Sequence, residues 1–169
     1  MIGGLFLLVA GIVIFGKGYS TGSFITGTNQ STKSASSSRA EIKPRDSAQI
    51  TIGNLQVTAA IADTADERKK GLGDREELPI SAGMLFVFEK SDSYAIWMKD
   101  MKFPIDIIWI DEGKKIVDIA ENAVPEPKKK DDELKIYRPK GPAKHVLELN
   151  AGLVKLHNLQ IGDTVNFTL

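Results

Sequence analysis

The chain has 169 residues, 42% hydrophobic and 26% charged, enough for one ordinary globular domain and an appendage. Lys+Arg and Asp+Glu both number 22, so the overall balance gives no reason to expect a nucleic-acid partner or an acidic tail. No cysteine is present, which excludes disulfides, thiol nucleophiles and cysteine-ligated metals.

Residues 2–16 are uncharged and apolar and end at Lys17. A membrane span wants about 20 apolar residues and the apolar part of a signal peptide about 7–15. Residues 1–19 therefore read as a signal or anchor segment, and Gly18-Tyr19-Ser20 offers the small residues that a signal peptidase accepts. The expectation is a membrane-anchored or secreted, extracytoplasmic protein. The charge bias points the other way, because Lys17, Lys33, Arg39, Lys43 and Arg45 all follow the apolar run and none precedes it. Residues 20–46, rich in Ser, Thr and Gly, cannot bury enough apolar surface to offset ordering and read as a flexible linker. A single globular β domain is expected over residues 47–169.

Within it, residues 50–52 and 55–62 alternate around Gly53-Asn54, a hairpin signal. Thr64-Ala65-Asp66-Glu67 has the form of a capping box opening a short helix through Lys70, which Gly71 stops. Residues 75–78 offer a second helical turn. Strands are expected at 84–88, 94–98, 105–110 and 116–120, each rich in β-branched or aromatic side chains, with a tight turn at Glu112-Gly113. A charged, proline-punctuated loop at 125–142 precedes strands at 145–149 and 164–169, which flank a short helix at 153–158. The sum is a mainly β domain: a compact β-sandwich or small barrel of about seven strands with one or two short helices.

Several blocks, in order, carry a resemblance: Glu67-Arg68 and Gly71-Leu72 ahead of Arg75 and Leu78, then Gly83-Met84-Leu85-Phe86, Trp97-Met98-Lys99, Pro104-Ile105-Asp106, Val146-Leu147-Glu148 and Gly162-Asp163. Over about residues 57–169 the chain resembles the uncharacterised bacterial and archaeal family called domain of unknown function 192. The resemblance implies a compact, mainly β domain, often behind a signal peptide or anchor, and no established reaction or ligand. The chain departs from the family pattern at Gly73, where a methionine is usual, and at Asp100-Met101, where an asparagine and a threonine are usual.

The chemistry concentrates around Trp97 to Asp106. On a continuous strand Trp97, Lys99 and Met101 would share one face, and Met98 and Asp100 the other. Asp106 falls on the face of Ile108 and Ile110, and a carboxylate on an apolar face must be paired or hydrogen-bonded. The functional reading is a concave polar site with Arg68, Arg75, Trp97, Lys99 and Asp106 as ligand-binding candidates: Trp97 as an apolar wall, Arg75 and Lys99 as anchors for an anionic or hydroxylated ligand, Asp106 orienting them. The competing reading is an ion pair that fixes strand register. Asp106 with Asp100 could also form the acid and base of a hydrolase acting on envelope glycan or another polar substrate, although their spacing sets no inter-carboxylate distance.

No serine sits in a nucleophile elbow, and the isolated His145 and His157 read as structural or solvated, so no cofactor and no metal is expected. Lys128-Lys129-Lys130 is cancelled by Asp131-Asp132-Glu133. The leading expectation is a small-ligand-binding or accessory module of the cell envelope. Its partners would be the membrane, through the N-terminal segment, and a small molecule, glycan or envelope protein, with no nucleic acid. A purely structural domain that docks a partner is the other alternative.

Overall fold

A computed structural model of the protein describes residues 46–169. The expected signal or anchor segment, and the linker as far as residue 45, lie outside the described residues. Among the described residues no helix is long and apolar enough to cross a membrane.

β1 (Ser47–Ile52) and β2 (Leu55–Ala62) form the expected hairpin, in register from Ser47 opposite Ala60 to Ile52 opposite Leu55. Gly53 turns it at φ +56°, a conformation that glycine adopts without strain. α1 (Ala65–Lys70) opens on the predicted capping box: Thr64 Oγ1 accepts from the Glu67 amide at 3.3 Å, and the Glu67 carboxylate accepts from the Thr64 amide at 3.0 Å. It stops at Gly71, whose φ is +51° and whose missing side chain leaves room for Phe86, since a Cβ would meet that ring at 3.3 Å. β3 (Ala82–Asp92) then runs parallel to β2, the single parallel pairing of the main sheet.

β4 (Ile96–Trp97), β5 (Ile105–Ile110), β6 (Ile116–Ala123), β7 (Ile136–Tyr137), β8 (Ala143–Asn150), α2 (Leu153–His157) and β9 (Val165–Asn166) complete the order. Seven strands form one sheet in the order β6-β5-β8-β3-β2-β1-β9, while β4 and β7 pair separately. The sheet curls until its two edges meet at one end. There Lys115 bridges Thr164, the Ile116 amide donates to Asp163 O at 3.0 Å, and the Val165 amide donates to Lys114 O at 2.9 Å. The result is a half-barrel with two short helices, in agreement with the mainly β, seven-strand expectation.

β5 is covered on both faces, so it is buried throughout and apolar except at Asp106. The concave face packs Ile50, Val57, Leu85, Ile108 and Leu147 with Leu153 and Val154 of α2. The convex face packs Phe86, Ile105, Ile107, Trp109 and Val146 under a lid of loops that contributes Leu72, Ile96, Met98 and Met101. Side-chain bonds hold the lid down. Trp109 Nε1 donates to Tyr94 O at 2.9 Å, Asn150 Nδ2 donates to Leu78 O at 2.9 Å, and Asp118 accepts from the Lys140 amide at 2.8 Å.

Three expected elements differ. Residues 75–78 are not helical: Pro79 disfavours helical backbone at Leu78, whose carbonyl bonds Asn150 instead. The strand expected at 94–98 is confined to Ile96–Trp97, because the chain turns at once, Met101 N donating to Met98 O at 3.3 Å with Asp100 at φ +56°. Met98 and Met101 are therefore both buried rather than on opposite faces. The last strand is likewise confined to Val165–Asn166.

Candidate functional site

Between α1, the aromatic half of β3 and the segment around β4 lies a cavity of about 360 Å³. Its floor is the convex face of the sheet, and one residue there breaks the apolar pattern. Glu148 of β8 faces outward with Val146, between Met84 of β3 and Ile107 of β5, the residues opposite it on either side. It is only 5% exposed and lines the cavity. Among the described residues no cation or hydrogen-bond donor reaches its carboxyl. Burial alone pushes its pKa up to about 8, so at neutral pH it is mostly a neutral acid. Such a carboxyl offers an O–H donor and a carbonyl acceptor, neither of them bonded to another described residue.

The walls are apolar and aromatic. Phe86 is buried, Phe88 and Tyr94 stack with ring centroids 3.5 Å apart, and Trp97 stands at the mouth, 46% exposed. The rim on the helix side is cationic, formed by Arg68, Lys69 and Lys70. The Arg68 guanidinium lies 5.2 Å from the Phe88 ring centre and is held by the carbonyls of Asp63 and Val87, the latter at 2.9 Å. These contacts follow from the capping box, because fixing the first turn of α1 fixes where Arg68 leaves the helix.

Of the residues expected to form a site, the structure brings two together in this cavity, Arg68 and Trp97. Lys99 is not part of the cavity lining: its ammonium lies 5.7 Å from the Trp97 ring centre and pairs with Asp131 of the charged loop, a hydrogen bond that raises its pKa above the ordinary lysine value. Arg75 is exposed and forms no ion pair among the described residues. Asp106 is fully buried on the concave side, where it accepts from the Asn122 amide and the Val154 amide, each at 2.9 Å. The need for a partner there is met, but by two backbone donors rather than by Arg75 or Lys99. Asp100 is exposed while Asp106 is enclosed, so the two acids face different surroundings and form no acid–base pair.

Glu148 received no role from sequence reasoning, although its block, Val146-Leu147-Glu148, was among those carrying the resemblance. The available signal was a lone acid between Leu147 and Leu149 in a strand with apolar neighbours on both sides. The cavity lining holds no Ser, Thr, Cys or His, and no three His, Asp or Glu among the described residues are placed to hold a metal ion. The arrangement offers a neutral hydrogen-bonding group inside, an apolar slot, and positive charge at the entrance.

The family model described as "Uncharacterized ACR", domain of unknown function 192, matches residues 48–167. The chain belongs to this family. A UPF0127 protein of Thermococcus sibiricus is 28% identical over 107 residues, covering 63% of this chain and 64% of the relative. A second, from Thermococcus kodakarensis, is 26% identical over 108 residues, covering 64% of this chain and 63% of the relative. The chain thus spans less than two thirds of the length of these curated relatives. Among solved structures, a Sinorhizobium meliloti protein described as a candidate transcription regulator is 30% identical with a TM-score of 0.63, covering 72% of this chain and 92% of that one. A protein of unknown function from Novosphingobium aromaticivorans is 31% identical with a TM-score of 0.61, covering 71% and 83%.

Proposed function

We propose that this member of the family is a small-molecule-binding domain whose site is the Glu148 cavity, serving as a binding or accessory module of the cell envelope. The observation that carries the reading is Glu148 itself, a carboxyl 5% exposed, facing a cavity, with no partner among the described residues. Burying an unpartnered polar group opposes folding, and such groups concentrate where a ligand completes the hydrogen bonds. Asp106 is the internal contrast, because it is equally enclosed yet fully satisfied.

A regulator's contact with nucleic acid does not carry over from the Sinorhizobium neighbour. Five of the 22 cations and one of the 22 acids lie in residues 1–45, so the folded part holds 17 against 21. That excess of acid supplies no electrostatic footprint for phosphate. Envelope placement rests on the apolar segment at 1–19. A reporter fused after Leu169 should be protected from cytoplasmic labelling; labelling would place the domain inside.

Binding is tested on the purified full-length chain by a thermal-shift screen of small metabolites. Compounds that raise the melting temperature should lose their effect in Glu148→Leu and keep it in Arg75→Ala. If no compound shifts the transition, or if hits bind the Glu148→Leu variant equally well, the cavity is not the site.

A further inference from the structure

The cavity is polar at its two ends and apolar between them, and this order specifies more than a generic ligand. We infer that the molecule it takes is a small organic anion. Its charged group would sit at the rim of Arg68, Lys69 and Lys70, its ring or chain against Phe86 and Trp97, and an uncharged oxygen at Glu148. This rests on the reading of the cavity as a binding site and adds the chemical class.

Three observations carry it. The rim supplies three positive charges, and neither lysine forms an ion pair among the described residues, although Asp66 and Glu67 share their helix. Only one nitrogen of the Arg68 fork, Nη1, is engaged by carbonyls, which leaves Nε and Nη2 for an incoming oxygen. At the inner end the carboxyl of Glu148 lies between Met84 and Ile107, and among the described residues no cation is near enough to stabilise its ionised form. An uncharged carboxyl there donates to a hydroxyl or carbonyl oxygen and adds no negative charge to repel an anion. A cationic ligand would have to pass three positive charges and then ionise that acid by its own presence.

The experiment compares three molecules of one shape on the full-length chain, followed by calorimetry and Trp fluorescence. They are 3-(4-hydroxyphenyl)propanoate, its primary amide, and tyramine. The propanoate is expected to bind at least tenfold more tightly than the amide, with tyramine weakest, and added salt should narrow the gap. Lys69→Gln with Lys70→Gln, both exposed positions, should bring the propanoate down toward the amide and leave the amide unchanged; Arg68→Gln should do the same more strongly. Removing the phenolic oxygen, as in 3-phenylpropanoate, should weaken binding to the wild type but not to Glu148→Leu. Tightest binding by tyramine would overturn the inference in favour of an ionised Glu148 serving as counter-ion. Equal binding of all three would overturn it by showing the rim to be indifferent, and no binding by any of them would overturn the class. The metabolite screen judges the cavity separately, because a neutral or cationic hit lost in Glu148→Leu would keep the binding reading while the anion class falls.

Discussion

Replacing Glu148 by Gln should change how stability depends on pH more than it changes stability itself. The folded carboxyl titrates near 8, against an ordinary value of 4.5, with burial as the cause. The folded state therefore holds the proton more tightly than the unfolded chain. Its contribution is most favourable below about pH 4.5 and is lost as pH rises, up to a plateau above about pH 8. The full span sets a ceiling of about 5 kcal/mol at roughly 1.4 kcal/mol per pH unit. Water reaching an open cavity screens the ionised form and brings the expected loss nearer 2–3 kcal/mol. His145 works in the same window with the opposite sign. Burial lowers its folded pKa below 6.5, so it destabilises the fold as pH falls through that value. The difference between wild type and Glu148→Gln removes that background. Urea unfolding of the full-length chain, followed by Trp fluorescence at pH 5, 6, 7 and 8, should find the two proteins within about 1 kcal/mol at pH 5 and the Gln variant ahead by about 2–3 kcal/mol at pH 8. A difference that does not vary with pH would refute the claim that this carboxyl is buried without a partner.

Asp106→Ala should destabilise the protein by about 2–4 kcal/mol, because the buried Val154 amide and the part-buried Asn122 amide lose their acceptor. Asp106→Asn should recover part of that loss, since its amide can accept from only one of them; a loss below 1 kcal/mol in urea unfolding of the Ala variant would contradict the contacts described. Thr64→Ala removes the side-chain half of the capping box and should cost about 1 kcal/mol. The same substitution should weaken propanoate binding, as α1 frays and Arg68 loses its fixed exit; calorimetry that shows unchanged affinity would separate the cap from the site. Arg75→Ala and Lys99→Ala should leave ligand affinity within twofold of wild type, because Arg75 is exposed and Lys99 pairs with Asp131 outside the cavity.

The local rules were legible in the sequence wherever a single short-range interaction decides the structure. The Thr64–Glu67 box, Gly71, the Gly53 turn and the apolar run of β5 each express one such rule. The strand expected at 94–98 was not legible, because its alternation continues past the point where tertiary contacts take over. Trp109 fixes the Tyr94 carbonyl, and Met98 and Met101 both find apolar space beneath the lid. The site was half legible for a related reason. Arg68 and Trp97 could be named as residues suited to binding, but which cations meet which acids depends on the curl of the sheet. The β5–β8 register, which sets Asp106 opposite Leu149, sends Asp106 to the concave side and Glu148 to the convex side.

These two acids also show how a buried charge can be assigned a role without a ligand in view. Asp106 is paired across the ladder with Leu149, the residue next to Glu148, so the two carboxyls occupy neighbouring places in one sheet. Composition, exposure and strand context do not separate them; the donors around them do. α2 and the left-handed Asn122 present amides to Asp106, so its charge is compensated by groups that the fold itself supplies and its work is internal. Among the described residues nothing compensates Glu148, and the space beyond it is a cavity rather than packed side chains. In one case the sequence carries the acid and its partners together. In the other the described residues carry the acid alone, and the proposed ligand is what would complete it.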